Sequence, residues 1–174
     1  MIVINADIKV PFFKYEVSSH LSIKNIILDD IENMGIHSLI DNDQRISNTD
    51  WQLSVDTFRP YIEHIKPDIT QVCNDLKKYF GYEEDIKLTN YWFQQYSKGD
   101  YHHFHAHGQC SFSCVYYVNL QGNNPKTTFK INSEEFEIDI KEGEILVFPG
   151  FLPHTSKENT SGEVKTVVAF NLTM

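Results

Sequence analysis

Past Gly81 the apolar residues of this chain settle into a period of two and keep it to the end. Short runs at Phe112–Asn119, Thr127–Ile131, Phe136–Ile140, Ile145–Phe148 and Val164–Leu172 are separated by turn residues: Gly122 to Pro125, Gly143, Pro149-Gly150 and Gly162. A first run precedes them, with Ile86, Leu88, Trp92 and Tyr96 expected on one strand face. Short strands at this spacing mean a sandwich or a barrel.

The first half follows a different rule. Residues 2–17 read as one or two short strands, with Phe12, Phe13, Tyr15 and Val17 as candidate core positions. Ser22 is placed to cap a helix from Ile23 to Met34, and Gly35 to stop it. The polar segment 36–57 reads as a long loop. A second helix carries Ile62, Ile65, Ile69, Val72, Leu76 and Tyr79 on one face. Pro60 suits its first turn, Pro67 should kink or restart it, and Gly81 ends it. The expected organisation is one domain over residues 1–174. A strand and two N-terminal helices (1–84) buttress a β core (85–174).

Charge narrows the partners. There are 15 Lys and Arg against 24 Asp and Glu, a net charge of −9. That balance argues against general binding to nucleic acid or to an anionic membrane. No apolar run approaches the about 18 residues of a membrane span. The N-terminus shows no secretory signal, and Cys73, Cys110 and Cys114 read as reduced thiols. The expected location is the cytoplasm, or the host cytoplasm if the chain is viral.

Five of the eight histidines are His102, His103, His105, His107 and His154. Two histidines at i and i+2 on a strand project to one side. His105 and His107 satisfy this, and so do His103 and His105, while His102 should point the other way. His154 follows a buried run, a Pro-Gly turn and a return strand, which would bring it back across a barrel. A pair from one strand and a third from a distant one make a three-point face that leaves positions open, as in non-haem Fe(II) enzymes. His20, His37 and His64 read as ordinary surface or core residues.

These residues carry a resemblance. Tyr96-Ser-Lys-Gly-Asp-Tyr101, His105-Ala-His107, Ser113 to Asn119, Gly143 to Pro149 with His154, and Lys165 to Asn171 stand in an order and spacing similar to the Fe(II)/2-oxoglutarate-dependent oxygenases. The nearest likeness is to the small phage and bacterial branch related to prolyl hydroxylases. It implies a mainly β, double-stranded β-helix (a jelly-roll or cupin-like barrel) with two N-terminal helices packed on one sheet. It implies Fe(II) held by His105, His107 and His154, with His107 standing where the family has a carboxylate. Lys165, eleven residues past His154, falls at the position of the cation that holds the far carboxylate of 2-oxoglutarate. Tyr117 and Tyr96 match pocket tyrosines. The implied activity is hydroxylation of a small-molecule or protein or peptide substrate, with peptidyl proline as the default, releasing succinate and CO2.

Two rivals fit the same pattern. One is a cupin-type metalloprotein or three-histidine iron dioxygenase that does not use 2-oxoglutarate; Lys165 discriminates, because only the first reading needs it. The other is a non-enzymatic jelly-roll module with a structural metal or none. A zinc site using Cys110 or Cys114 is a further alternative.

Overall fold

A computed structural model describes residues 9–35, 37–54 and 56–174. The part of the expected N-terminal strands before Lys9 lies outside the described residues. The elements run β1 (Phe13–Glu16), α1 (His20–Asn33), β2 (Leu39–Ile40), β3 (Gln44–Ile46), β4 (Asn48–Thr49), α2 (Pro60–Glu63), α3 (Lys66–Phe80), β5 (Lys87–Tyr96), β6 (Tyr101–His105), β7 (Phe112–Asn119), β8 (Thr127–Ile131), β9 (Glu134–Glu137), β10 (Glu144–Pro149), β11 (His154–Ser156) and β12 (Lys165–Thr173).

The strands form two antiparallel six-stranded sheets, in the orders β1-β10-β7-β12-β5-β4 and β2-β3-β6-β11-β8-β9. This is the mainly β jelly-roll barrel. The first sheet, which is the larger because it holds the long strands β5, β7 and β12, is covered on both faces. Val168, Phe170 and Leu172 of β12, with Cys114, Tyr116 and Val118 of β7, pack against Ile27 and Ile31 of α1 and Ile69, Val72 and Leu76 of α3. The alternate residues Val167 of β12, Val115 and Tyr117 of β7, and Leu146 and Phe148 of β10 face the second sheet, where Phe129 of β8 meets them in the interior. Two-sided coverage explains why β12 is buried at every residue from Lys165 to Leu172.

The helical half departs from expectation in detail. Ser19, not Ser22, precedes α1; the Ser22 hydroxyl donates back to Ser19 O at 2.7 Å inside the first turn. The second helix is two pieces, because Pro67 starts a new helix and cannot continue the old one. Gly81 ends α3 with φ of +68°. Tyr79 is exposed: the buried face of α3 stops at Leu76. The 36–57 loop holds three short strands, of which β3 pairs with β6 and β4 with β5.

Of three register shifts among the described strands, two, in β5 and β6, bear on the site. In β5, Asn90 lies opposite Asn171 but Leu88 opposite Leu172, so Thr89 is one residue extra. Ile86 and Leu88 therefore face the helices, while Trp92 and Tyr96 face the barrel interior. In β6, His105 lies opposite His154 and His102 opposite Ser156, again with one residue extra.

A buried ionic knot fixes the segment between β4 and α2. The Asp50 carboxylate accepts from Arg59 Nε at 2.6 Å, Tyr61 Oη at 2.7 Å and Phe93 N at 2.8 Å. Arg59 also donates to Asp50 O, Leu53 O, Ser54 O and Thr57 O. The knot holds Trp51, which packs edge-to-face on Trp92 at 4.5 Å.

Candidate metal centre

His105 ends β6 and His154 opens β11, directly opposite it. His107 lies past the strand end, not on it. Its position comes from a tight joint between two turns. His107 N donates to Gly150 O at 2.8 Å, and Cys110 N and Sγ both donate to His107 O. A Cβ on Gly150 would sit 2.6 Å from Cys110 O and 2.8 Å from His107 O, so only glycine allows this approach.

The three rings converge. One ligand atom from each of His105, His107 and His154 lies within 4.8 Å of the others. His105 Nδ1 pairs with His103 O at 2.9 Å, and His154 Nδ1 pairs with Leu152 O at 3.0 Å. A carbonyl accepts only from N–H, so both rings keep Nε2 as the free lone pair. Phe148 packs on His154 at 4.7 Å between centroids.

Burial keeps these rings neutral. His107 is pushed down to about 4 by burial and by His105. Burial also lowers His105, and lowers His154 well below the ordinary imidazole value. Three neutral nitrogen donors on a partly open face suit a divalent first-row metal such as iron.

His107, and not His103, lies with His105 and His154 in the cluster. His103 is exposed and stacks on Tyr101 at 4.7 Å, away from the cluster. The expectation for His102 is overturned. The extra residue in β6 turns it to the same side as His105, and the two rings stack at 3.8 Å and 13°. Burial and the neighbouring histidines hold His102 down to about 3. No residue-level signal in the sequence marks such a bulge.

From the cluster a narrow chamber runs inward to Lys165, which is only 2% exposed. Its ammonium donates to Ser156 Oγ at 2.8 Å and Pro125 O at 2.9 Å, and lies over the Tyr96 ring at 4.8 Å. Among the described residues no carboxylate forms an ion pair with it. Burial drops its pKa to about 7, against a small opposing pull from Glu137. Tyr96 lines the chamber and donates to Gln94 Oε1 at 2.9 Å. Tyr117 stands one side chain farther back: it shares a 2.6 Å hydrogen bond with Thr127, and Thr127 forms the wall. Cys114 is buried against the helices and Cys110 bonds His107 O, so neither cysteine joins the cluster.

No family model and no curated protein matches the sequence. Solved structures do match. A viral collagen prolyl hydroxylase from Paramecium Bursaria Chlorella virus-1, in complex with 2OG, superposes with a TM-score of 0.67 at 13% identity, over 92% of this chain and 94% of that one. A Pseudomonas putida prolyl-4-hydroxylase gives 0.68 at 12% identity, over 95% and 94%. A prolyl hydroxylase from Trichoplax adhaerens, bound to a peptide fragment of hypoxia inducible factor, gives 0.68 at 13% identity, over 93% and 83%. The chain has the fold of the 2OG-Fe(II) oxygenases. None of these three is a phage protein, so they lend the phage part of the resemblance no support.

Proposed function

We propose that the protein is a non-haem Fe(II)- and 2-oxoglutarate-dependent oxygenase that hydroxylates a neutral substrate. One observation carries this reading: three neutral imidazoles converge within 4.8 Å at the mouth of a chamber whose far end is a buried, carboxylate-free lysine. A cupin-type site that binds no dicarboxylate has no use for a cation at that place, and burying a lysine without a counter-charge is costly.

In this reading His105, His107 and His154 hold the iron through nitrogen. Bound iron and 2-oxoglutarate together supply the oxidising power to put one oxygen atom of O2 into a C–H bond, with succinate and CO2 as co-products. The chain's own residues prepare the site. The carbonyls of His103 and Leu152 fix two of the ring tautomers. Phe148 and Phe129 shield His154 from water. Lys165 receives the far carboxylate, Tyr96 lies beneath the ammonium, and Tyr117 acts through Thr127. The Lys165 ammonium has three N–H donors, and Ser156 and Pro125 take two of them, which leaves one for the carboxylate. Replacing the usual carboxylate ligand by His107 leaves the loaded centre one unit more positive, which weakens metal retention. Peptidyl proline, the substrate class of the resemblance, is the first to assay.

The test is anaerobic. Fe(II) and then 2-oxoglutarate are added to the apo protein, and the visible metal-to-ligand charge-transfer band is sought. The band is expected in the wild type and absent in His154→Ala. Iron binding with no band would favour the cupin-type alternative.

A further inference from the structure

Away from Lys165, two further cavities meet at the histidines. One, of about 220 Å³, lies between Trp51, Trp92, Gln44, Gln94 and His102. The other, of about 510 Å³, is bounded by Trp51, Asn90, His107, Gln109 and Asn171. They share Trp51, Ala106 and His107, so they form one cleft running past the candidate metal ligands.

Among the described residues no Asp, Glu, Lys or Arg lines either cavity, although 22% of the chain is charged. A charged substrate would lose its hydration here without finding a counter-ion, whereas a neutral one meets no such penalty. In place of charges the cleft presents an indole and carboxamides. Trp51 is 46% exposed, held edge-on to Trp92, and offers an apolar surface for C–H groups. The carboxamides lie on both sides of it, and their local hydrogen bonds leave a mixed set free. Gln94 Oε1 is taken by Tyr96 and Asn90 Oδ1 by Tyr91 N, which leaves their NH2 groups as donors. Gln44 Nε2 is taken by Asp41, which leaves its oxygen as an acceptor. Asn171 Oδ1 is buried and has no hydrogen-bond partner among the described residues. Its residue sits on the inner face of β12, two positions beyond Ala169, where the barrel opens.

Free donors and free acceptors around one exposed indole match a ligand whose polar groups each do both jobs, and a hydroxyl does. An extended peptide instead lines up N–H and C=O about every 3.3 Å, a pattern best read by a strand edge. We propose that this cleft binds a neutral sugar ring as the substrate, with its C–H face on Trp51 and its hydroxyls on the carboxamides, Asn171 above all. The assignment of the sugar as substrate rests on the oxygenase reading; its binding does not.

The experiment is saturation-transfer NMR on the full chain without iron. The probes are the methyl glycosides of glucose, galactose, mannose, xylose and N-acetylglucosamine, beside acetyl-prolinamide and an uncharged capped tripeptide. Transfer to at least one glycoside is expected, at least tenfold weaker in affinity for Trp51→Ala and for Asn171→Leu, and unchanged for Thr70→Ala on the distant α3. Transfer to none of the glycosides, to the peptides alone, or equally in wild type and both cleft variants would overturn the proposal. Far-ultraviolet circular dichroism confirms that each variant is folded, and Trp51, being half exposed, can be truncated if Asn171→Leu fails. A sugar signal in a protein that forms no charge-transfer band with Fe(II) and 2-oxoglutarate would sink the oxygenase reading and leave the sugar site standing.

Discussion

The most exacting consequence of the site concerns Lys165. Its ammonium has two neutral acceptors, an aromatic face and no carboxylate, and burial brings its pKa to about 7. The direction follows from the lowered value. Below pH 7 the side chain is charged and ready for a dicarboxylate; above it the free protein holds a neutral amine. Binding 2-oxoglutarate then requires a proton to be taken up. Only the charged fraction binds, so affinity should fall roughly tenfold between pH 6 and pH 8, equivalent to about 1.4 kcal/mol. Roughly 0.1 proton should be taken up per cosubstrate at pH 6 and about 0.9 at pH 8. The assay is isothermal titration of 2-oxoglutarate into Zn(II)-loaded protein, in buffers of different ionisation enthalpy. Metal occupancy keeps the histidines from titrating in the same range. Lys165→Arg, charged throughout, should flatten the pH dependence even though its fork is poorly shaped for the chamber, and Lys165→Met should weaken binding at every pH. Wild-type affinity that is level from pH 6 to pH 8, with no proton uptake, would refute the reasoning.

Other perturbations probe the support of the site. Stacking on His105 predicts that His102→Ala loosens Co(II) binding several-fold and broadens its visible spectrum, while His102→Phe, which keeps a flat ring there, restores most of both. Gly150→Ala should leave the protein folded but lower metal affinity at least tenfold, because the new methyl group pushes on Cys110 O and His107 O; unchanged metal titration would show that the joint is slack. Asp50→Ala should cost about 3–5 kcal/mol in urea unfolding, the usual penalty for stranding one member of a buried ion pair. Apo-protein stability should decline as pH falls from about 6.5 towards 4, since the unfolded histidines take up protons that folded His102 and His107 refuse until about 3 and about 4. Thermal melts across that range that stay level would contradict it.

Much of the barrel was legible from residue types because its strands are bounded by real stops. The run from Phe112 to Asn119 is strand from end to end, and His105, His107 and His154 do meet. What escaped has a common cause. Alternation predicts facing only while the register is unbroken, and single extra residues in β5 and β6 break it. Thr89 sends Ile86 and Leu88 to the helices, and the bulge in β6 brings His102 into the site. The 36–57 segment hid its strands for another reason. At two or three residues each they are too short to show a period, and their place is set by the edges of β5 and β6 rather than by their own composition. Trp51 was invisible as a site residue, since its position depends on the buried pair Asp50 and Arg59 nearby.

Strand β12 follows β5 and β7 in sequence yet lies between them in the sheet, hydrogen-bonded to both. Until residues 165–173 are available, β5 and β7 each expose an unfilled edge, and the two halves of the larger sheet have nothing to join them. The histidines are all made earlier, but the lysine at the chamber's end and the asparagine at the barrel's mouth arrive on that one strand. Closure of the sheet and completion of the pocket are therefore a single late event. A nascent chain arrested before Lys165 should be a chaperone client with sticky edges, and the small-molecule sites should appear together, all at once, when the final strand slots in.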